Sequence, residues 1–190
     1  MHPDESLFTL FDDLEQQAAG IHLADREVAV GELAAGEYAQ VTLLARLHAA
    51  RGGWVRLRLV DGELLNGTLR RVGRDWLQLD DGRGGSWLVR SGAVAGVSGL
   101  GSRAVSEDAL PVTARLSLRS ALRTLAGARR ECVLQLCGGD RVEGVPGRVG
   151  HDFVEVVSID SADRATGRGH DRPRVEVVPL AALVSLRERR

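Results

Sequence analysis

Residues 54–79 read WVRLRLVDGELLNGTLRRVGRDWLQL, and residues 131–156 read ECVLQLCGGDRVEGVPGRVGHDFVEV. The two stretches align without a gap at a shift of 77 residues, and eight of their 26 positions are identical. These positions are turn glycines, alternating apolar residues and their neighbours, so an internal duplication explains them better than chance does. The identical pairs are Leu57/Leu134, Leu59/Leu136, Gly62/Gly139, Gly67/Gly144, Arg71/Arg148, Val72/Val149, Gly73/Gly150 and Asp75/Asp152.

Each copy predicts five short strands. Residues 55–59 alternate apolar side chains with arginines, which is the pattern of a strand with one buried face. Gly62 follows an aspartate in a typical hairpin turn, and Gly67 stands where a sharply bent strand needs a glycine. Further strands are predicted at 64–72, 76–79, 87–89 and 94–97, and the last two of the second copy are predicted at 175–178 and 183–186.

Helices are predicted before each copy. Apolar residues three and four apart predict helical structure between residues 6 and 50, and a second helix at 112–126 with start signals at Ser106 and Glu107. The predicted fold class is therefore α+β, mainly β, with two small five-stranded barrels, each preceded by a helix. The predicted domains are an acidic helical head at 1–50, a first barrel at 51–100, a connecting helix at 101–128 and a second barrel at 129–190.

This order of elements carries a resemblance to a known fold. A helix, a strand, a glycine turn, a bend at Gly67 in NGTLRRVGRDWLQL and a short turn before the fifth strand resemble the Sm-like fold. The whole chain also resembles uncharacterised proteins of GC-rich actinobacteria. RNA-binding Sm proteins carry an Asp and an Asn after the bend glycine, but Gly73 and Leu77 hold those places here, and Gly150 and Val154 hold them in the second copy. The resemblance thus implies the barrels and does not imply the uridine pocket.

The charge is unevenly distributed along the chain. The 190 residues carry a formal net charge of −1, but residues 1–50 hold two arginines against nine acids, and the remaining 140 hold 23 against 17. All 25 basic residues are arginine, which is typical of a GC-rich coding bias and weakens any inference from arginine abundance to nucleic-acid binding. The acidic head is interpreted either as a dimerisation or docking surface or as an element that packs on its own chain.

Few residues point to catalysis. The five histidines, at positions 2, 22, 48, 151 and 170, have no metal-ligand spacing, and Cys132 and Cys137 are too few for a structural zinc site. We therefore predict no catalytic residue, no metal site and no cofactor, and we expect that the protein is not an enzyme. No apolar run is long enough to span a bilayer, and Asp4 and Glu5 stand where a signal peptide carries positive charge, so a cytoplasmic protein is expected.

One surface and one loop are candidate binding elements. Basic and aromatic residues interleave in the first copy, a pattern typical of single-stranded RNA binding. Trp76 lies on an apolar strand and is interpreted as a core residue, and the alternative interpretation of Trp54 and Trp87 is that they close the barrel ends. The loop between residues 157 and 175 is twelve residues longer than its counterpart, and it is interpreted as a binding loop or as a mobile insertion. The candidate surface comprises Trp54, Arg56, Arg58, Arg70, Arg71, Arg74 and Trp87, and the loop candidates are Arg164, Arg168, Arg172 and Arg174.

The sequence leaves two functional hypotheses. The first is a non-catalytic adaptor or scaffold that acts through tandem barrels and the helical head, with a protein partner or a second copy of itself. Its physical motive is that small barrels expose strand edges, which pair readily. The alternative is an RNA-binding module that uses the arginines and tryptophans of the first barrel. A membrane and a small-molecule substrate are not expected.

Overall fold

The computed structural model describes residues 38–158 and 174–189 together with Gly36, and residues 1–35, 37, 159–173 and 190 lie outside this description. Contacts divide the chain into two units, 1–42 and 43–190. Of the predicted helical head at 1–50, the structure describes only residue 36 and residues 38–50, and these include the helix Leu43–Ala49. The second unit is mainly β with two α-helices, which agrees with the predicted fold class.

Ten strands and two α-helices make up the described part of the second unit. We call β1–β5 the first half and β6–β10 the second half. Short 3₁₀ turns lie at Ser91–Ala93, Glu107–Ala109 and Val112–Arg115. The elements are α1 (Leu43–Ala49), β1 (Trp54–Leu59), β2 (Leu64–Val72), β3 (Trp76–Asp80), β4 (Ser86–Arg90), β5 (Val94–Ser98), α2 (Leu118–Ala128), β6 (Cys132–Leu136), β7 (Arg141–Val149), β8 (Phe153–Ser158), β9 (Arg174–Pro179) and β10 (Leu183–Glu188).

All the described strands belong to one antiparallel sheet. Its order is β5-β1-β2-β3-β4-β10-β6-β7-β8-β9, so β10 of the second half lies between β4 and β6. Each half contributes five neighbouring strands, as predicted, but the strand pairing forms one continuous sheet and does not close either half into a barrel of its own. The halves are instead joined along β4 and β10 in an open sheet, of which β5 and β9 are the two ends in the described residues.

The two halves pair their strands in the same register. Val55 lies opposite Gly67 in the first half, and Cys132 lies opposite Gly144 in the second, so both partners are offset by 77 residues. The last strands of the two halves are related by a different offset: each residue of β5 has its equivalent in β10 89 residues later. The pairs Leu57/Val97 and Leu134/Leu186 show this offset. Structural equivalence between the halves can therefore be assigned residue by residue.

A glycine fixes the bend of the second strand in each half. A Cβ atom on Gly67 would overlap the carbonyl oxygen of Asp80, and one on Gly144 would overlap the carbonyl oxygen of Val157. Neither overlap can be relieved by rotating a side chain, because the obstructing atoms belong to the backbone of the neighbouring strand. The close approach at these two glycines lets each long strand pair with one neighbour before the bend and another after it.

The second unit has two hydrophobic cores, one built mainly from each half. Each core also contains residues of the other half. The first core consists of aliphatic residues of β1–β4, Ala93 and Leu47 of α1, and it includes Val184 of β10. The second core consists of residues of β6–β10 with Leu118 and Leu122 of α2, and it includes Trp76 and Leu88 of the first half. Trp76 is 6% exposed, which agrees with the prediction that this tryptophan is a core residue.

Trp76 and its neighbours also hold the chain that enters α2. The Trp76 indole Nε1 donates to the Leu116 carbonyl oxygen at 2.9 Å, and an Asp75 carboxylate oxygen accepts from the Leu118 backbone N–H at 2.6 Å. Ser117 caps the helix by accepting from the Ser120 backbone N–H. The predicted start near residue 112 is therefore wrong, because the preceding residues form a 3₁₀ turn and the caps place the α-helix start at Leu118.

The Asp75 contact generates a stability prediction with a built-in control. Asp75→Ala removes a charge-assisted hydrogen bond at the N-terminus of α2, and we expect a loss of about 1–2 kcal/mol in the free energy of unfolding, measured by urea denaturation. The matched control is Asp152→Ala, which changes the equivalent but exposed residue of the second half and should cost less than about 0.5 kcal/mol. Equal losses in the two variants would contradict the capping role of Asp75.

His48 is an unusual core residue of α1. Its side chain is buried, and neither ring nitrogen has a hydrogen-bond partner among the residues that the structure describes. Burial, assisted by the charge of Arg51, lowers the pKa of His48 from its ordinary value of 6.5. The residue 77 positions later in the sequence is Leu125 of α2, which packs against the second core. The histidine thus occupies an apolar position in its neutral form.

This environment predicts a pH-dependent stability. Because the folded state holds the pKa of His48 below 6.5, the unfolded chain binds more protons, and stability should fall as the pH drops from 6.5 toward the folded-state pKa. His48→Leu should remove the fall in stability that is due to protonation of His48. Thermal unfolding between pH 7 and pH 5 measures this difference. His151→Gln, a change at an exposed histidine, is the control and should keep the slope of the parent protein. An unchanged slope in His48→Leu would refute the assignment.

Candidate functional site

The two ends of the sheet are exposed strand edges. On β9, Val175 and Val177 are exposed, the latter at 57% of its surface, whereas Val178 is buried in the second core. On β5, Ala95 and Ser98 are exposed, and Val97 packs partly against the first core. Each of these strands has a single strand neighbour within the described part of the chain. The free side of each therefore presents backbone groups that another strand can bind.

Three of the seven predicted surface residues share one face of β1. Trp54, Arg56 and Arg58 alternate with buried residues, so all three point outward, and Trp54 is 59% exposed. The Arg56 Nε donates to the Asn66 side-chain oxygen of β2 at 2.8 Å, and the Arg58 guanidinium lies over Gly96 of β5. An aromatic ring and two guanidinium groups thus form a continuous row across the outer surface of the first half.

The other predicted arginines of this surface are placed differently. The Arg70 guanidinium forms an ion pair with Asp80 at 3.1 Å, and the Gly82 backbone N–H and Arg70 together lower the pKa of that carboxyl group. Arg71 and Arg74 are exposed near the turn between β2 and β3, where the Arg74 backbone N–H donates to the Leu116 carbonyl. The Arg70 charge is therefore largely neutralised by its aspartate.

Trp87 lies on β4, three strands away from β1, so the predicted residues do not form one cluster. The Arg187 guanidinium carbon lies 5.2 Å from the centroid of the Trp87 ring, which is the geometry of a cation–π contact. One face of the ring is therefore occupied by β10. Both residues line an open groove of about 370 Å³ at the boundary of the halves, together with Asp81, Arg83, Val133 and Arg189.

The remaining candidates fall partly outside the description. Arg164, Arg168 and Arg172 lie outside the described residues, and Arg174 is exposed at the first position of β9. Cys132 is buried, and burial together with Glu188 raises the pKa of its thiol to about 11, whereas Cys137 is exposed. The described residues contain no cluster of three side chains of the metal-binding types, and none of their helices is long and apolar enough to span a membrane.

No protein-family model matches the chain, and no curated protein is significantly similar to it. The geometry of the sheet edges and of the β1 face therefore carries the functional interpretation.

Sequence reasoning did not identify the groove or the free edges. Arg187 and Arg189 enter the groove because β10 pairs with β4, and that pairing joins residues almost a hundred positions apart. The sequence analysis predicts exposed strand edges, but it does not predict which strands form them. The offset of 89 residues between β5 and β10 is a signal in the sequence, because it identifies these two strands as equivalents.

Proposed function

We propose that the protein is a non-catalytic scaffold that binds polypeptide through the open edges of its sheet. The observation that carries this proposal is the pair of end strands, β5 and β9, with exposed valines on β9. Backbone groups on a free edge give affinity to an added strand, and exposed apolar side chains give it buried area. The junction of β4 and β10 supports the proposal, because edge pairing already joins the two halves.

The proposal includes the fold family. The order of five antiparallel strands in each half, the bent second strand and the preceding helix support two Sm-like units. The glycines that permit the bend support it further, since they occupy equivalent places in both halves. A protein partner or a second copy is the binding partner that such units favour when their edges are open.

Mass and hydrogen exchange together test the scaffold function. Sedimentation of the full chain over a wide concentration range should give a mass above that of one chain, because edge pairing buries the exposed valines. Backbone amides of β5 and β9 should then exchange slowly in the associated state. Strands β4 and β10, which are paired within the chain, are the internal reference for slow exchange. A chain that stays monomeric at every concentration, exchanges the amides of both end strands rapidly and retains no protein partner from lysate would exclude the scaffold function.

RNA binding is the second candidate, and the outer face of β1 favours it. Trp54 offers an exposed ring for base stacking, and Arg56 and Arg58 follow on the same face at the spacing of alternate strand residues. At the equivalent positions the second half carries Glu131, Val133 and Gln135, so this row of one aromatic and two basic side chains is not repeated there.

A binding assay with single-stranded RNA of mixed sequence tests this candidate. Trp54→Ala should weaken binding by about 1–3 kcal/mol, the usual contribution of one stacked base. Changing Arg56 and Arg58 together to Gln should lower both the affinity and its salt dependence. Arg123→Gln, at an exposed position of α2, is the matched control and should have a smaller effect. Absence of binding at low salt would eliminate this candidate.

A further inference from the structure

The groove at the boundary of the halves is a site that neither the sheet edges nor the β1 face explains. Its floor is a row of side chains on three neighbouring strands, because Arg187 of β10 lies opposite Trp87 of β4 on one side and opposite Val133 of β6 on the other. Neighbouring strands lie about 4.8 Å apart, so this row of ring, guanidinium and valine spans about 10 Å. We call the site the junction groove, and its lining also includes Asp81, Arg83, Ser86, Glu188 and Arg189.

Arg187 is the central cation of the junction groove, and its N–H groups are available to a ligand. It contacts the Trp87 ring, but it forms no ion pair or hydrogen bond with another residue in the described part of the chain. The acids of the lining are already engaged. Glu188 pairs with Arg130 at 2.8 Å, and an Asp81 carboxylate oxygen accepts from two backbone N–H groups of its own turn.

Glu63, in the turn after β1, is the acid whose ionisation Arg187 influences. Burial, assisted by the charge of Asp61, raises the pKa of Glu63, and the charges of Arg141 and Arg187 oppose this increase. No ion pair joins Glu63 to Arg187. The guanidinium is therefore attracted to this acid at a distance and is not occupied by it.

The surroundings of Trp87 favour a carboxylate ligand over a nucleobase. Arg187 covers one face of the ring, and the ring also packs against the first core, so it does not offer the free face that base stacking requires. The two carboxylates of the lining, those of Asp81 and Glu188, disfavour a ligand that carries a negative charge on every unit. A peptide can carry a single carboxylate between uncharged residues, and a carboxylate can accept two N–H groups of one guanidinium.

The contact of ring and guanidinium is not required by the strands that carry it. The offset of 89 residues makes Glu176 of β9 the equivalent of Trp87, and it makes Ser98 of β5 the equivalent of Arg187. The equivalent strands thus form in the same register without an aromatic or a basic residue at these positions. Trp87 and Arg187 are therefore open to a role in binding.

We propose that the junction groove binds an acidic peptide segment, with one carboxylate on the Arg187 guanidinium and apolar side chains on Trp87 and Val133. The order of the floor, apolar then basic then apolar, selects a glutamate or aspartate that has apolar neighbours in the peptide. This inference rests on the proposed scaffold function for its class of ligand, a polypeptide. It adds a second site, which lies on the face of the sheet and away from the end strands.

Binding of a labelled model peptide tests the groove. The probe is a fluorescent Gly-Ser-Leu-Glu-Leu-Ser-Gly peptide with blocked ends, and the matched probe has glutamine in place of the glutamate. Fluorescence anisotropy with the full chain should show saturable binding of the glutamate peptide. The glutamine peptide should bind at least tenfold more weakly, because it lacks the charge that Arg187 contacts. Equal affinity for the two peptides, or no saturable binding of the glutamate peptide, would overturn the proposal.

Substitution of Arg187 locates the bound peptide. Arg187→Gln removes an exposed guanidinium and should weaken binding of the glutamate peptide at least tenfold. Arg187→Lys keeps the charge but loses the paired N–H donors, so its effect should be smaller. Arg123→Gln, at an exposed arginine of α2, is the matched control and should bind like the parent. Parental affinity in Arg187→Gln would show that the groove is not the site.

An added negative charge gives a second readout that leaves Arg187 in place. Ser86→Asp puts this charge in the lining of the groove and should weaken binding of the glutamate peptide. Ser98→Asp adds the same charge at an exposed serine of the β5 edge and should bind like the parent. The reverse pattern would place the peptide on the edge of the sheet, so the groove proposal would fail while the scaffold function stands.

The remaining outcomes separate the two proposals and the two classes of ligand. Edge association in sedimentation and hydrogen exchange, without saturable peptide binding, would refute the groove and leave the scaffold function intact. A chain that neither associates, nor retains a protein partner, nor binds the peptide would refute both. Mixed-sequence single-stranded RNA should not displace the peptide, because the Trp87 ring is covered. Displacement by RNA at a lower concentration than unlabelled peptide requires would overturn the choice of an acidic peptide.

Discussion

The pairing of β4 with β10 is the interaction on which the rest of the second unit depends. It places Trp76 and Leu88 of the first half in the second core and Val184 of the second half in the first core. Replacing a buried aromatic residue by alanine typically costs about 3–5 kcal/mol. Because a half of such small size buries little apolar surface alone, exchange of core residues across the junction makes the two halves stabilise each other.

The halves share their internal geometry and differ in their outer surfaces. The bend glycines Gly67 and Gly144 meet equivalent carbonyl oxygens, so the path of the second strand is the same in both. On the outer face of the first strand, in contrast, Trp54 and Arg56 correspond to Glu131 and Val133. The two halves therefore share the residues that determine the fold and differ in the exposed residues that a ligand would contact. A functional difference between the halves is to be sought on that face and at the edges.

The strands could be predicted almost to the residue, because alternating burial and turn glycines are local signals. The second strand of the first half was predicted at 64–72 and is found there. The start of α2 was predicted too early, since it is fixed by Asp75 and Ser117, and the Asp75 contact comes from a distant strand. The position of β10 between β4 and β6 and the contact of Arg187 with Trp87 have no local signature. They depend on pairing between halves, which an alignment of the halves alone does not reveal.

The composition of the two end strands makes them selective edges. On β9, the exposed charges Arg174 and Glu176 alternate with the two exposed valines, and Pro179 ends the strand. Charged residues and proline disfavour indiscriminate pairing of an edge, because an arbitrary partner strand would have to bury them unpaired. A partner strand that places a basic surface near Glu176 avoids this cost, because the glutamate is then buried beside a positive charge. The same residues that protect β9 against aggregation therefore also define the kind of strand that it can accept.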